Sequence, residues 1–214
     1  MRDPLAGRAA LIAMPYLIDS VEFGLEKPLQ NARELQRLIA AKPITVESYS
    51  DGSVLYHLPR EHRGEYFLVT DGEISYFSHY VKLDHPLFGH AAYQSEVWRG
   101  IGLPLDALGI VMKVMFNRIL PITGVLCSDD TQTHDGRRLW RNVMQTALRM
   151  GYYCAVSDSH LNNVFSVEFP SELRLWETSG NMWGAGSRYE GVRLIVSKHK
   201  FPDTVPLYEE ILKD

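Results

Sequence analysis

Two Asp-Gly pairs, Asp51-Gly52 and Asp71-Gly72, each set between runs of alternating apolar and polar residues, constrain this chain more than any other feature in it. Asp-Gly supplies the left-handed backbone that a tight hairpin needs, and a period of two puts apolar side chains on one face of a strand. The spacing predicts strands over 44–49, 54–58, 65–70 and 74–83, joined as an antiparallel meander. A turn at 86–89 returns the chain into a further strand over 90–99. In it Tyr93, Ser95 and Val97 share one face and Gln94, Glu96 and Trp98 the other.

Outside the meander the period lengthens. Residues 29–41 have helical spacing through Leu29, Ala32, Leu35, Leu38 and Ile39, and Lys42-Pro43 ends that helix. Two more helices are expected over 105–120 and 136–150, the second stopped by Gly151. Short apolar runs at 123–127 and 152–156 read as buried strands, with a polar loop over 128–135 between the first of them and its helix. The remainder predicts a strand over 164–169, a short helix over 171–177, a Gly-rich loop over 180–191, a strand over 192–197 and a last helix over 207–212. The apolar stretch 9–18 reads as a strand or a buried lead-in. At 214 residues the expectation is a single domain. It has an N-terminal extension over 1–43, a core over 44–198 and a C-terminal helix over 199–214. The class is α/β, an α+β arrangement in which a mixed sheet combines local hairpins with crossover helices.

Charge and composition then narrow the function. With 26 acidic against 22 basic residues the chain carries no field that would draw in nucleic acid. Its longest apolar run, 110–122, is cut by Lys113, Asn117, Arg118 and Pro121, so no membrane span is expected, and the N-terminus lacks the apolar run of a signal peptide. Cys127 and Cys154 each sit in an apolar stretch and read as small core residues, which fits a reducing, cytoplasmic setting. His79, His85 and His90 flank the 86–89 turn without a cysteine, and no metal is expected there.

The order of elements, a meander and then strand, helix, strand, helix, strand and a late strand, resembles the GCN5-related N-acetyltransferase family. The resemblance covers roughly residues 44–198. It implies that the strand 90–99 splays from its neighbour to admit the arm of acetyl-CoA or another acyl-CoA, and that the next helix takes the pyrophosphate on its N-terminal amides. Val97, Arg99, Gly100 and Gly102, within Arg99-Gly-Ile-Gly102-Leu-Pro104, would then hold the donor. Proline at 104 removes one of those amides. Trp140 stands in the helix where the family carries a tyrosine acid, and an indole cannot donate a proton as an acid. The run from Ser128 to Gly136, followed by Leu139-Trp140, also resembles uncharacterised phage-encoded proteins of this fold.

Under this resemblance Glu96 is the best-placed base, and Asp129 with His134 is a second acid–base candidate. Asp130, Gln132, Asp135 and Trp140 would form a substrate or partner surface. The expected activity is acyl-CoA-dependent N-acylation of an amine on a small molecule or a protein. The rival is a non-catalytic protein of the same fold that modulates a protein partner through residues 128–140 or the aromatic loop around Trp176 and Trp183. Plainer roles compete at each site: Asp129 and Asp135 as helix caps, Glu96 as a strand residue paired across the meander.

Overall fold

The computed structural model describes residue 25 and residues 27–99, 109–129, 131–132, 134–158, 163–178 and 189–205. These fall into two compact units, one of residues 25–82 and 93–123 and the other of residues 83–92 and 124–205. The architecture is α+β. Among the described residues no helix is long and apolar enough to cross a membrane.

The first unit is the meander. Its strands β1 (Ile44–Ser48), β2 (Val54–Pro59), β3 (Arg63–Thr70), β4 (Glu73–Lys82) and β5 (Ala92–Arg99) pair in chain order, every neighbour antiparallel. The Asp71-Gly72 turn has both central residues at positive φ, 52° and 80°, the conformation that matches the twist of a two-residue hairpin. One residue of β4 is then bulged out: Val69 still pairs with Ile74, but Leu68 pairs with Tyr76. From there to the far end of the hairpin each β4 side chain faces the sheet side opposite to the one a regular ladder would give it.

Helix α1 (Pro28–Ala40) packs on one face of this sheet. Leu38 joins Leu58, Phe67, Ile74 and Phe77 in a buried cluster, with Trp98 of β5 packed against it. Asn31, 3% exposed, pins the helix: its side chain donates to the carbonyls of Leu25 (3.0 Å) and Ile74 (2.8 Å) and accepts from the Ile74 amide (2.8 Å). On the other face aromatic rings line up across the strands. His57 stacks on Tyr66 at 4.1 Å, and the Tyr80 ring lies over Gly64, where a methyl group would collide with it.

Helix α2 starts as α-helix over Ile110–Val114, widens into a π-turn over Met115–Ile119 and closes with Leu120–Thr123. It therefore runs past Pro121, beyond the expected end at 120. Proline has no N–H to give the carbonyl four residues back and its ring crowds that carbonyl, and the wider turn just before it, in which the Leu120 amide reaches Met115, relieves the conflict.

The second unit holds β6 (Val125–Cys127), β8 (Tyr153–Asp158), β9 (Asn163–Val167) and β11 (Val192–Ser197) in the order β6-β11-β8-β9. β11 is antiparallel to both of its neighbours, so β6 and β8 run parallel, and α3 (His134–Arg149) is the crossover between them. Val143, Met144 and Ala147 of α3 are buried at helical spacing. Gly151, at φ 79°, ends the helix as expected. Helix α4 (Pro170–Thr178) is capped by Glu172, whose carboxylate accepts from the amides of Glu168 (2.6 Å) and Phe169 (2.9 Å). Cys127 and Cys154 are buried thiols that form no disulfide with each other, as the sequence suggested. The expected lead-in at 9–18 and the helix at 207–212 lie outside the described residues.

Candidate functional site

Glu96 lies on β5 on the same face as Gln94 and Trp98, the grouping its alternation predicts, and that face is the one α1 covers. One carboxylate oxygen, Oε1, is buried and has no hydrogen-bond partner among the described residues. Burial raises its pKa above the ordinary carboxyl value, and a hydrogen bond from Gln94 offsets part of that effect.

Directly across the β4–β5 ladder from Glu96 stands His79, and across the β3–β4 ladder from His79 stands Glu65. The three side chains form a row on one face. Glu65 is fixed from α1: Arg37 Nη2 donates to its Oε1 at 3.0 Å and is itself held by Glu34. Glu65 Oε2 is buried without a hydrogen-bond partner among the described residues. His79 is half-buried, and desolvation lowers its pKa, against the attraction of Glu65 and with the repulsion of Arg63, Arg37 and Arg60. On the opposite face His57 Nε2 and the Tyr80 hydroxyl share a hydrogen bond of 3.1 Å, and burial likewise lowers the His57 pKa.

Glu65 is not singled out by the sequence, and His79 enters there only as one of three histidines around the 86–89 turn. Only the bulge after Val69 sets His79 opposite Glu65; an unbroken ladder from the Asp71-Gly72 turn would have placed Ser78 there.

Of the donor-binding candidates, Val97 is half-buried on β5 facing the aromatic side, and Arg99 ends the strand opposite Tyr76. Gly100, Gly102 and Pro104 lie outside the described residues, as does Asp130.

The 128–140 segment departs from the expected polar loop. Ser128 is fully buried: its hydroxyl accepts from the Leu194 amide (3.0 Å) and donates to the Asp129 carbonyl (2.8 Å), which extends the pairing of β6 with β11. Asp129 is half-buried. Gln132 belongs to a short strand, β7 (Thr131–Gln132), paired with β10 (Tyr189–Glu190), and His134 and Asp135 already form the first turn of α3. Trp140 requires a correction. At 4% exposure it is a core residue on the same buried side as Val143, Met144 and Ala147, so it offers no partner surface. Arg138, by contrast, is exposed. Asp158, buried at the end of β8 opposite Val192, was not anticipated either; its only sequence signal is a lone carboxylate closing an apolar run. Among the described residues no three His, Cys, Asp or Glu side chains come close enough to hold a metal ion.

Compared with known proteins, the chain matches no family model and no curated protein.

Proposed function

We propose that this chain is an acyl-CoA-dependent N-acyltransferase acting on an amine of a small molecule or a protein, with Glu96 as the general base. The observation that carries the reading is the state of Glu96: a carboxylate on the strand before the first long connection, with a buried oxygen that has no hydrogen-bond partner among the described residues and a pKa raised by desolvation. A base tuned upward in this way is better matched to taking a proton near neutral pH than an exposed glutamate. The order of the described elements also agrees with the order on which the resemblance rests: meander, strand, helix, strand, helix, strand and late strand.

In this reaction the acceptor amine attacks the thioester carbonyl. Glu96 takes the proton that the nitrogen must lose, backbone amides hold the developing oxyanion, and as the C–S bond breaks coenzyme A departs as its thiolate, which takes a proton from water. The rival reading, a non-catalytic binder, loses Trp140 as an anchor, since that side chain is buried, and keeps the aromatic loop around Trp176 and Trp183.

The test is release of free coenzyme A thiol from acetyl-CoA in the presence of primary amines, from polyamines to lysine peptides. Cys127 and Cys154 are buried, and Cys154 is also held in its thiol form by desolvation, so the folded protein contributes little background to a thiol reagent. The expected result is amine-dependent release with saturable kinetics. Protein-bound acetyl-CoA that no amine in the panel discharges faster than solvent does would contradict the acyltransferase reading.

A further inference from the structure

We propose that His79 is the positioning partner of Glu96, the middle member of a carboxylate–imidazole–carboxylate row, Glu65–His79–Glu96, that orients the base and gives its proton a way out to solvent. The inference deepens the acyltransferase reading and rests on it. Residues directly opposite in an antiparallel pair have Cβ atoms about 4.5–5.5 Å apart, so the two register pairs set His79 between Glu65 and Glu96 on one face of the sheet, where a rotation of the side chains would bring the imidazole to either carboxylate.

The three members differ in a way that suits a relay. Glu96 Oε1 is buried and has no hydrogen-bond partner among the described residues, so a proton taken there needs a neighbour to receive it. His79 is only half-buried, and imidazole is the side chain best able to pass a proton near neutral pH. Glu65 stands on its far side and favours the imidazolium that forms when the proton arrives. Arg37 and Glu34 on α1 hold Glu65 in place, so the far end of the row is anchored.

Other charges face His79 as well. Arg37 comes from α1, Arg63 from β3 and Arg60 from the turn between β2 and β3, and all three oppose the imidazolium. Desolvation first, and these three charges after it, lower the His79 pKa and so favour the neutral ring that can accept a proton. The step moves one proton, from the Glu96 carboxyl to a neutral imidazole nitrogen and from the imidazolium to water, and needs no other reactant.

The experiment is an NMR titration of the intact chain, labelled in histidine and glutamate side chains, following the His79 ring and the Glu96 carboxyl carbon between about pH 4 and 9. In Glu96→Gln the His79 midpoint is expected to fall by about half a unit or more, and in His79→Gln the Glu96 midpoint is expected to rise, because an interaction between two sites acts on both. A His79 midpoint that does not move in a folded Glu96→Gln protein overturns the proposal. If that variant fails to fold, an unmoved Glu96 midpoint in His79→Gln overturns it instead. Acetyl-CoA titrated into the same samples separates the two ideas: coupled midpoints without acetyl-CoA binding would sink the acyltransferase reading alone, and binding with uncoupled midpoints would sink the relay alone.

Discussion

Glu96→Gln is expected to lower kcat/KM for acyl transfer by about 10²–10⁴-fold and, in the same protein, to raise stability at neutral and alkaline pH. The first effect follows from removing the base. The second follows from linkage. The folded protein holds the Glu96 carboxyl above its ordinary value of 4.5, so folding favours the protonated form. Below the ordinary value the group is protonated in both states and its contribution is fully present; as the pH rises through the folded value that contribution is lost, because the buried group must ionise.

Glutamine has the same shape and never ionises. The variant and the parent are therefore expected to unfold alike near about pH 4, with the variant gaining as the pH rises from the ordinary carboxyl value through the folded one and holding a constant advantage above it. Denaturant unfolding at matched pH measures the difference. Equal stability across the range would remove the burial argument, and retained turnover would remove Glu96 as the base. Both effects together would describe a residue kept for chemistry at a cost to the fold.

Asn31→Leu is expected to destabilise the protein by about 3 to 5 kcal/mol, a loss large enough to leave a marginal domain partly unfolded. The leucine fits the volume, so packing is not the issue. The loss comes from three buried backbone groups, the carbonyls of Leu25 and Ile74 and the Ile74 amide, each left without its partner.

Asn31→Asp refines the argument. The acid keeps an oxygen for the Ile74 amide but loses both N–H donors and places a charge at a site 3% exposed, so its loss should shrink at acid pH, where the carboxyl regains one donor. Urea midpoints at two pH values measure both variants. A Leu variant within 1 kcal/mol of the parent, on the order of an ordinary surface change, would show that Asn31 does not pin α1 to the sheet.

What the sequence made legible is what local chemistry decides. The two Asp-Gly turns and the alternating runs place β1 to β4 within a residue or two, and Gly151 marks the end of α3 where the structure has it. Harder to foresee was anything set by a partner distant in the chain. The pairing of β7 with β10 brings together residues more than fifty positions apart, and neither segment has strand character on its own. Trp140 could be read as surface or core until the packing of α3 put it inside with Met144. Pro121 reads as a helix stop unless the preceding turn widens, and nothing in its neighbours announces the π-turn that lets α2 continue.

The candidate site divides the same way. Glu96 is legible because alternation alone assigns its face. Glu65 and His79 are not, because a single bulged residue in β4 decides which side chains meet, and a one-residue slip moves every later side chain to the other face.

Calorimetric titration of the purified protein with acetyl-CoA, and with desulfo-CoA as the thiol-free control, tests the central claim most directly, because it examines the donor before any acceptor has to be chosen. The account predicts saturable binding with a Kd on the order of micromolar, about −8 kcal/mol. No heat of binding at millimolar ligand would contradict it.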